Sequence, residues 1–137
     1  MKWLLDTNVV SEPGKKRPNA AVLQWLDSTD EMDCAISVIT IGEIESGIRR
    51  LTAGTSRRAH EQALDAIRMR FAGRVLGIDD AVATRWGAMA VASAAEGRTL
   101  PAIDCLVGAT AIMHGLTVVT RNGGDFSDEV PVFDPFA

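Results

Sequence analysis

The chain has 137 residues, 47 % of them hydrophobic and 23 % charged, an ordinary composition for a soluble globular protein. That length supports one domain, residues 1–137, with one core, and is too short for two. The formal charge of −4 argues against binding nucleic acid by bulk attraction, so any such contact has to be local.

No apolar run is long enough to span a bilayer, and Lys2 leads into a strand pattern, not a signal-peptide core. The expectation is a cytoplasmic protein with no membrane association. Cys34 and Cys105 lie in apolar segments without metal-ligand spacing, as buried small residues of a reducing compartment do.

In chain order, Trp3-Leu4-Leu5 is an apolar run that suits a strand buried on both faces. It runs straight into Asp6-Thr7-Asn8, so Asp6 stands where the strand stops. In open α/β sheets ligands bind at that carboxyl end. Asp-Thr-Asn is also turn chemistry, and a helix N-cap at Asp6 is the plain alternative. Val9-Val10-Ser11 begins a short helix that Pro13-Gly14 stops. Lys15-Lys16-Arg17-Pro18 reads as an exposed basic loop, most simply a solvated one. Asn19 caps a helix through Leu26. Cys34-Ala35-Ile36 is a second strand. Ser37 or Thr40 then caps a helix to about Leu51, with Ile41, Ile44 and Ile48 at helical spacing. After a loop holding Gly54, a charged amphipathic helix runs to about Phe71.

Val75 to Ile78 is the third strand, and Asp79-Asp80 caps the helix towards Glu96-Gly97. Pro101 opens the next helix, which ends at His114-Gly115. Leu116 to Thr120 is the fourth strand. Arg121 to Phe126 is a turn-rich loop, and Val130 to Phe133 is an edge strand that tolerates Pro131. Strands alternating with helices make a parallel α/β sheet with helices on both faces.

This order places four acids. Glu43, early in the helix after strand two, lies at the same edge as Asp6. The helix feeding strand four starts at that edge, with Asp104 in its first turn. Asp125 follows strand four directly. Each has a plain alternative: Glu43 as the partner of a Thr40 capping box, Asp104 as a complement to the macrodipole, Asp125 as a turn residue. Together they would repel unless a cation were present. Oxygen ligands without Cys or His suit Mg²⁺ or Mn²⁺, which can activate water and stabilise phosphoryl-transfer charge.

Leu5-Asp6-Thr7-Asn8, Ile41-Gly42-Glu43-Ile44, Pro101-Ala102-Ile103-Asp104 and Thr120-Arg121-Asn122-Gly123-Gly124-Asp125-Phe126 resemble, in order and spacing, the four acidic motifs of PIN-domain nucleases. The resemblance is nearest to the VapC and FitB type of toxin from type II toxin–antitoxin pairs. It implies a three-layer fold around a five-stranded parallel sheet. It implies Mg²⁺ or Mn²⁺ bound by Asp6, Glu43, Asp104 and Asp125, and metal-dependent endoribonuclease activity. Thr7, Asn8, Thr120 and Asn122 are then polar supports that orient ligands or waters. A homodimer, a small antitoxin and operator DNA bound only through that antitoxin are implied as well. The helices from Val38 to Phe71, with Arg49, Arg50, Arg57 and Arg58, are the surface expected to receive an antitoxin segment.

Rival readings are weaker. A haloacid-dehalogenase-like phosphatase wants a second Asp where Asn8 stands, and a late lysine. A response-regulator receiver wants the same lysine, but Lys2, Lys15 and Lys16 are all N-terminal. His60 and His114 lie outside the motifs, which disfavours metal-free acid–base cleavage. The alternative that survives is a non-catalytic PIN-like module acting with a DNA-binding antitoxin in operator binding and transcriptional regulation.

Overall fold

The run Trp3–Leu5 forms β1, the central strand of a five-stranded sheet ordered β3-β2-β1-β4-β5. The structure is a computed structural model and describes residues 1–136. Strand β2 (Cys34–Ser37) lies on one side of β1, with Trp3 opposite Cys34 and Leu4 opposite Ala35. On the other side lies β4 (Thr117–Val119), with Leu5 opposite Val119. The edges are β3 (Val75–Leu76) and β5 (Val132–Phe133). Every pairing is parallel. Pro131 falls just before the edge strand β5, where its missing N–H costs no ladder bond.

Successive strand residues point to opposite faces, and the core divides accordingly. Leu4, Ala35 and Val118 pack with Val82, Met89, Val107 and Ala111 on one face. Leu5, Ile36 and Val119 pack with Val9, Val22 and Phe71 on the other. The first face is covered by α5 (Asp80–Ala95) and α6 (Ala102–His114). The second is covered by α1 (Thr7–Val10), α2 (Ala20–Ser28) and the C-terminal end of α4 (Thr55–Arg70). The helix α3 (Val38–Arg49) leaves the end of β2 directly. This is the three-layer arrangement that the strand–helix alternation implies.

The caps are largely those the sequence calls for. Asn19 Oδ1 accepts from Ala21 N and Val22 N at 2.9 and 3.1 Å, and Asp79 Oδ1 accepts from Val82 N at 2.9 Å. Gly115 ends α6 in the left-handed region, φ 66°, which favours glycine. Other expectations give way. Ser37, not Thr40, caps α3, its Oγ accepting from Ile39 N at 3.0 Å, so the capping-box reading of Glu43 fails. Strand β3 stops at Leu76, and part of the loop after β4 tightens into a 3₁₀ turn at Gly123–Asp125.

Arg98, just beyond α5, donates to Gly124 O at 2.7 Å and Phe126 O at 3.0 Å. The end of α5 is thereby tied to the loop that carries Asp125. Gly108 does the same from α6. A Cβ there would stand 2.9 Å from Val130 Cγ2 and 3.5 Å from the Phe126 ring, so only glycine lets this segment seat closely on the helix.

Candidate active site

Asp6 is 6 % exposed, and a buried carboxylate has to be paired or hydrogen-bonded. Its partners come from α1 and the end of β4. Oδ1 accepts from Thr7 N at 2.9 Å, which makes Asp6 the N-cap of α1. Oδ2 accepts from Thr120 Oγ1 at 2.8 Å and from Asn8 Nδ2 at 3.3 Å. Asp6 therefore caps α1 and also lines the cleft described below; capping does not exclude a place in the candidate site, which the sequence posed as the alternative. Thr120 is fully buried and spends its one proton on Asp6, while accepting from Asn122 N at 3.0 Å. Asn8 Oδ1 accepts from Arg121 N at 3.1 Å, pinning the loop after β4.

Glu43 projects from α3 and accepts from Thr7 Oγ1 at 2.5 Å. Thr7 Oγ1 also stands 3.3 Å from Thr40 Oγ1, a buried hydroxyl whose part in the site the sequence did not show. Asp104 lies in the first turn of α6, half-buried. Asp6, Glu43 and Asp104 face one cleft of about 440 Å³, together with Thr7, Asn8 and Asn122. Asp125 is exposed on its 3₁₀ turn and does not line that cleft. The Asp104 carboxyl is pushed up to about 6, first by burial, then by the negative charges of Asp6, Asp125 and Glu43. All four acids thus share one field, with Asp125 reaching it from the side.

Among the described residues, no three acidic, His or Cys side chains stand close enough to encircle an ion as placed. The donor set fits a hard divalent ion, because every candidate ligand is an oxygen and the wall holds Asp6 and Glu43 by hydrogen bonds. The histidines take no part. His60 is exposed, with Nδ1 2.8 Å from Ser56 O, and His114 sits in the last turn of α6.

The raised Asp104 value has a consequence for stability. Its folded value, about 6, lies above the ordinary 3.8, so the fold holds this proton more tightly than the unfolded chain does. The contribution is complete below about pH 4 and is lost as pH rises through about 6. Asp104 is open to solvent on one side, so screening cuts the effect to about 1–1.5 kcal/mol. Thermal melts in EDTA are expected to show wild type losing ground to Asp104→Asn between pH 4.5 and 7.5. A difference independent of pH would refute the assignment. Saturating Mg²⁺ or Mn²⁺ is expected to restore wild type, by about 2.7 kcal/mol at 100 times the dissociation constant.

A parallel α/β sheet that gathers carboxylates in a cleft at the carboxyl end of its central strand defines an acidic-site α/β protein. This chain belongs to the PIN-domain family, whose pattern matches residues 3–128. It is 39 % identical to toxin FitB of Neisseria gonorrhoeae over 135 residues, 97 % of each chain. It is 32 % identical to the VapC ribonuclease Y4jK of Sinorhizobium fredii over 124 residues, 90 % of this chain and 89 % of that one. The solved structure of FitAB bound to the IR36 DNA fragment superposes with a TM-score of 0.92 at 38 % identity, covering 98 % of this chain and 96 % of that one.

Proposed function

We infer that this protein is the toxin of a type II toxin–antitoxin pair and an endoribonuclease that depends on Mg²⁺ or Mn²⁺. The observation that carries the reading is the cleft in which Asp6, Glu43 and Asp104 converge from three separate segments, with Asp125 in the same field. Asp6 and Asp104 are the leading ligands, with Glu43 and Asp125 completing the set. A divalent ion held there would act as a Lewis acid towards the phosphoryl oxygens and would activate water near neutral pH.

The chain's own residues do the placing. Thr120 and Asn8 fix the Asp6 carboxylate, and Thr7 fixes Glu43. Asn122 closes the cleft beside them, its backbone N–H holding the Thr120 hydroxyl in its donating orientation. Asp104 offers its charge only when deprotonated, so metal affinity falls as pH drops through about 6.

The partners follow from the relatives. A small antitoxin is expected to bind this chain, to reach operator DNA on its behalf, and to act on a homodimer in the cytoplasm. The groove between α3 and α4 is a candidate seat. It is not wholly apolar: Ile48 and Leu64 are buried and the Glu45–Arg49 and Arg57–Glu61 ion pairs line it. An antitoxin segment seated there has to match charge as well as bury surface. The DNA in the FitAB structure favours one second reading, a non-catalytic module that acts with its antitoxin in operator binding and transcriptional regulation.

One assay separates the two. Purified, antitoxin-free protein is expected to cleave RNA in Mg²⁺ or Mn²⁺ and to stop in EDTA. No cleavage in either metal would leave the regulatory reading.

A further inference from the structure

Glu12 is 3 % exposed, more deeply buried than Asp6, yet it belongs to no acidic motif. It begins the 3₁₀ turn Glu12–Gly14 that follows α1. Its Oε2 has no hydrogen-bond partner among the described residues. What faces it is the ammonium of Lys15, 3.2 Å away as an ion pair outside hydrogen-bond geometry. A carboxylate buried this far needs a cation. The turn supplies one by folding Lys15 back over it, with Lys15 N donating to Glu12 O at 3.1 Å.

Lys15 is not enclosed with its partner. Its side chain is 54 % exposed, and it lines the same cleft as Asp6, Glu43 and Asp104, as the one lysine or arginine among the described residues that does so. Lys16 and Arg17, its neighbours in the basic loop, are exposed and do not line the cleft. An ammonium has three donors, and the ion pair with Glu12 engages none of them in hydrogen-bond geometry. They stand beside a cleft whose other charged lining residues are acids. A polyanion entering such a cleft needs a local cation, the more so in a chain of net charge −4.

We propose that Lys15, aimed by the buried Glu12, is the phosphate-binding residue of this cleft and grips an RNA phosphate beside the one that is cut. Glu12 is its positioning residue. The inference rests on the ribonuclease reading above and adds a substrate contact to it.

The test uses full-length wild type, Lys15→Met, Lys15→Arg and the double variant Glu12→Gln with Lys15→Met. Cleavage of a short RNA is followed in Mn²⁺ across a salt series, with thermal melts alongside. Lys15→Met is expected to raise KM about 5- to 10-fold with kcat nearly kept. Its log(kcat/KM) is expected to fall less steeply with log salt, by about 0.7, the loss of one phosphate contact on a single strand. Lys15→Arg is expected to keep both properties. Lys15→Met also strands the Glu12 charge, so its melting temperature is expected to drop. The double variant is expected to recover the melting temperature and not KM.

Wild-type KM and salt slope in Lys15→Met would overturn the role of Lys15 alone. So would a double variant that recovers KM together with stability, since Lys15 would then serve only to neutralise Glu12. A wild-type protein that cleaves no RNA in either metal would instead bring down the ribonuclease reading, and this inference with it.

Discussion

Asp104→Asn is expected to lower RNA cleavage on the order of a thousandfold while the protein stays folded. The substitution keeps volume almost constant and removes the negative charge that Asp104 would offer a divalent ion. It does not strip a structural contact comparable to those of Asp6. Asp104 stands in the first turn of α6, and its carboxyl is pushed up to about 6 by burial and three neighbouring acids. Neutralising it relieves repulsion, so in EDTA near neutral pH the variant is expected to melt no lower than wild type. Asp6→Asn is a less clean probe than the sequence suggests. Asp6 accepts from Thr7 N, Thr120 Oγ1 and Asn8 Nδ2. An amide nitrogen in place of either oxygen would face a donor with a donor. That variant is expected to lose metal response and stability together, which blurs the two effects. The measurements for Asp104→Asn are cleavage rate in Mn²⁺ and a melt in EDTA. Cleavage at the wild-type rate would remove Asp104 from the ligand set.

The site was legible because parallel topology does the placing. Once Trp3-Leu4-Leu5 reads as a buried strand, Asp6 has to lie at its carboxyl end, and Glu43 and Asp104 follow from where their helices start. Interactions that depend on side chains folding back were not legible. Thr40 has the spacing of a cap, yet its hydroxyl sits buried beside Thr7. Arg98 lies in a loop with no pattern, and only the tertiary fold shows it holding Gly124 O and Phe126 O. Lys15 looked solvated because the burial of Glu12 cannot be read from a Ser-Glu-Pro-Gly turn. Asp125 follows β4 as expected, but the 3₁₀ turn sets it to the side of the cleft.

Arg74 is expected to contribute strongly to stability through three carbonyl contacts, and nothing in its sequence setting marks it. It follows Gly73 in the short link between α4 and β3 and is 8 % exposed. Its guanidinium meets carbonyls, not a carboxylate. Nη1 donates to Glu31 O and Cys34 O, both at 2.6 Å, and Nη2 donates to Arg70 O at 2.5 Å. The Arg70 carbonyl is one of those left orphaned at the C-terminal end of α4, so Arg74 serves as that helix's side-chain cap. The other two carbonyls lie in the turn before β2 and at its first residue. One planar fork therefore joins α4, β2 and β3 at the edge opposite Asp6, and it also lies 5.0 Å from the centre of the Phe71 ring. Arg74→Ala leaves three carbonyls without this donor and uncovers the ring, for a cost of about 3–4 kcal/mol. In a chain of this size that lowers the melting temperature on the order of 10 °C. Arg74→Lys is expected to recover less than half, because a compact ammonium cannot span three divergent carbonyls as the fork does. Cleavage per folded molecule is expected to stay at the wild-type level in both, since the fork is remote from the acidic cleft. A melting temperature for Arg74→Ala within about 2 °C of wild type would show that water replaces the guanidinium at little cost.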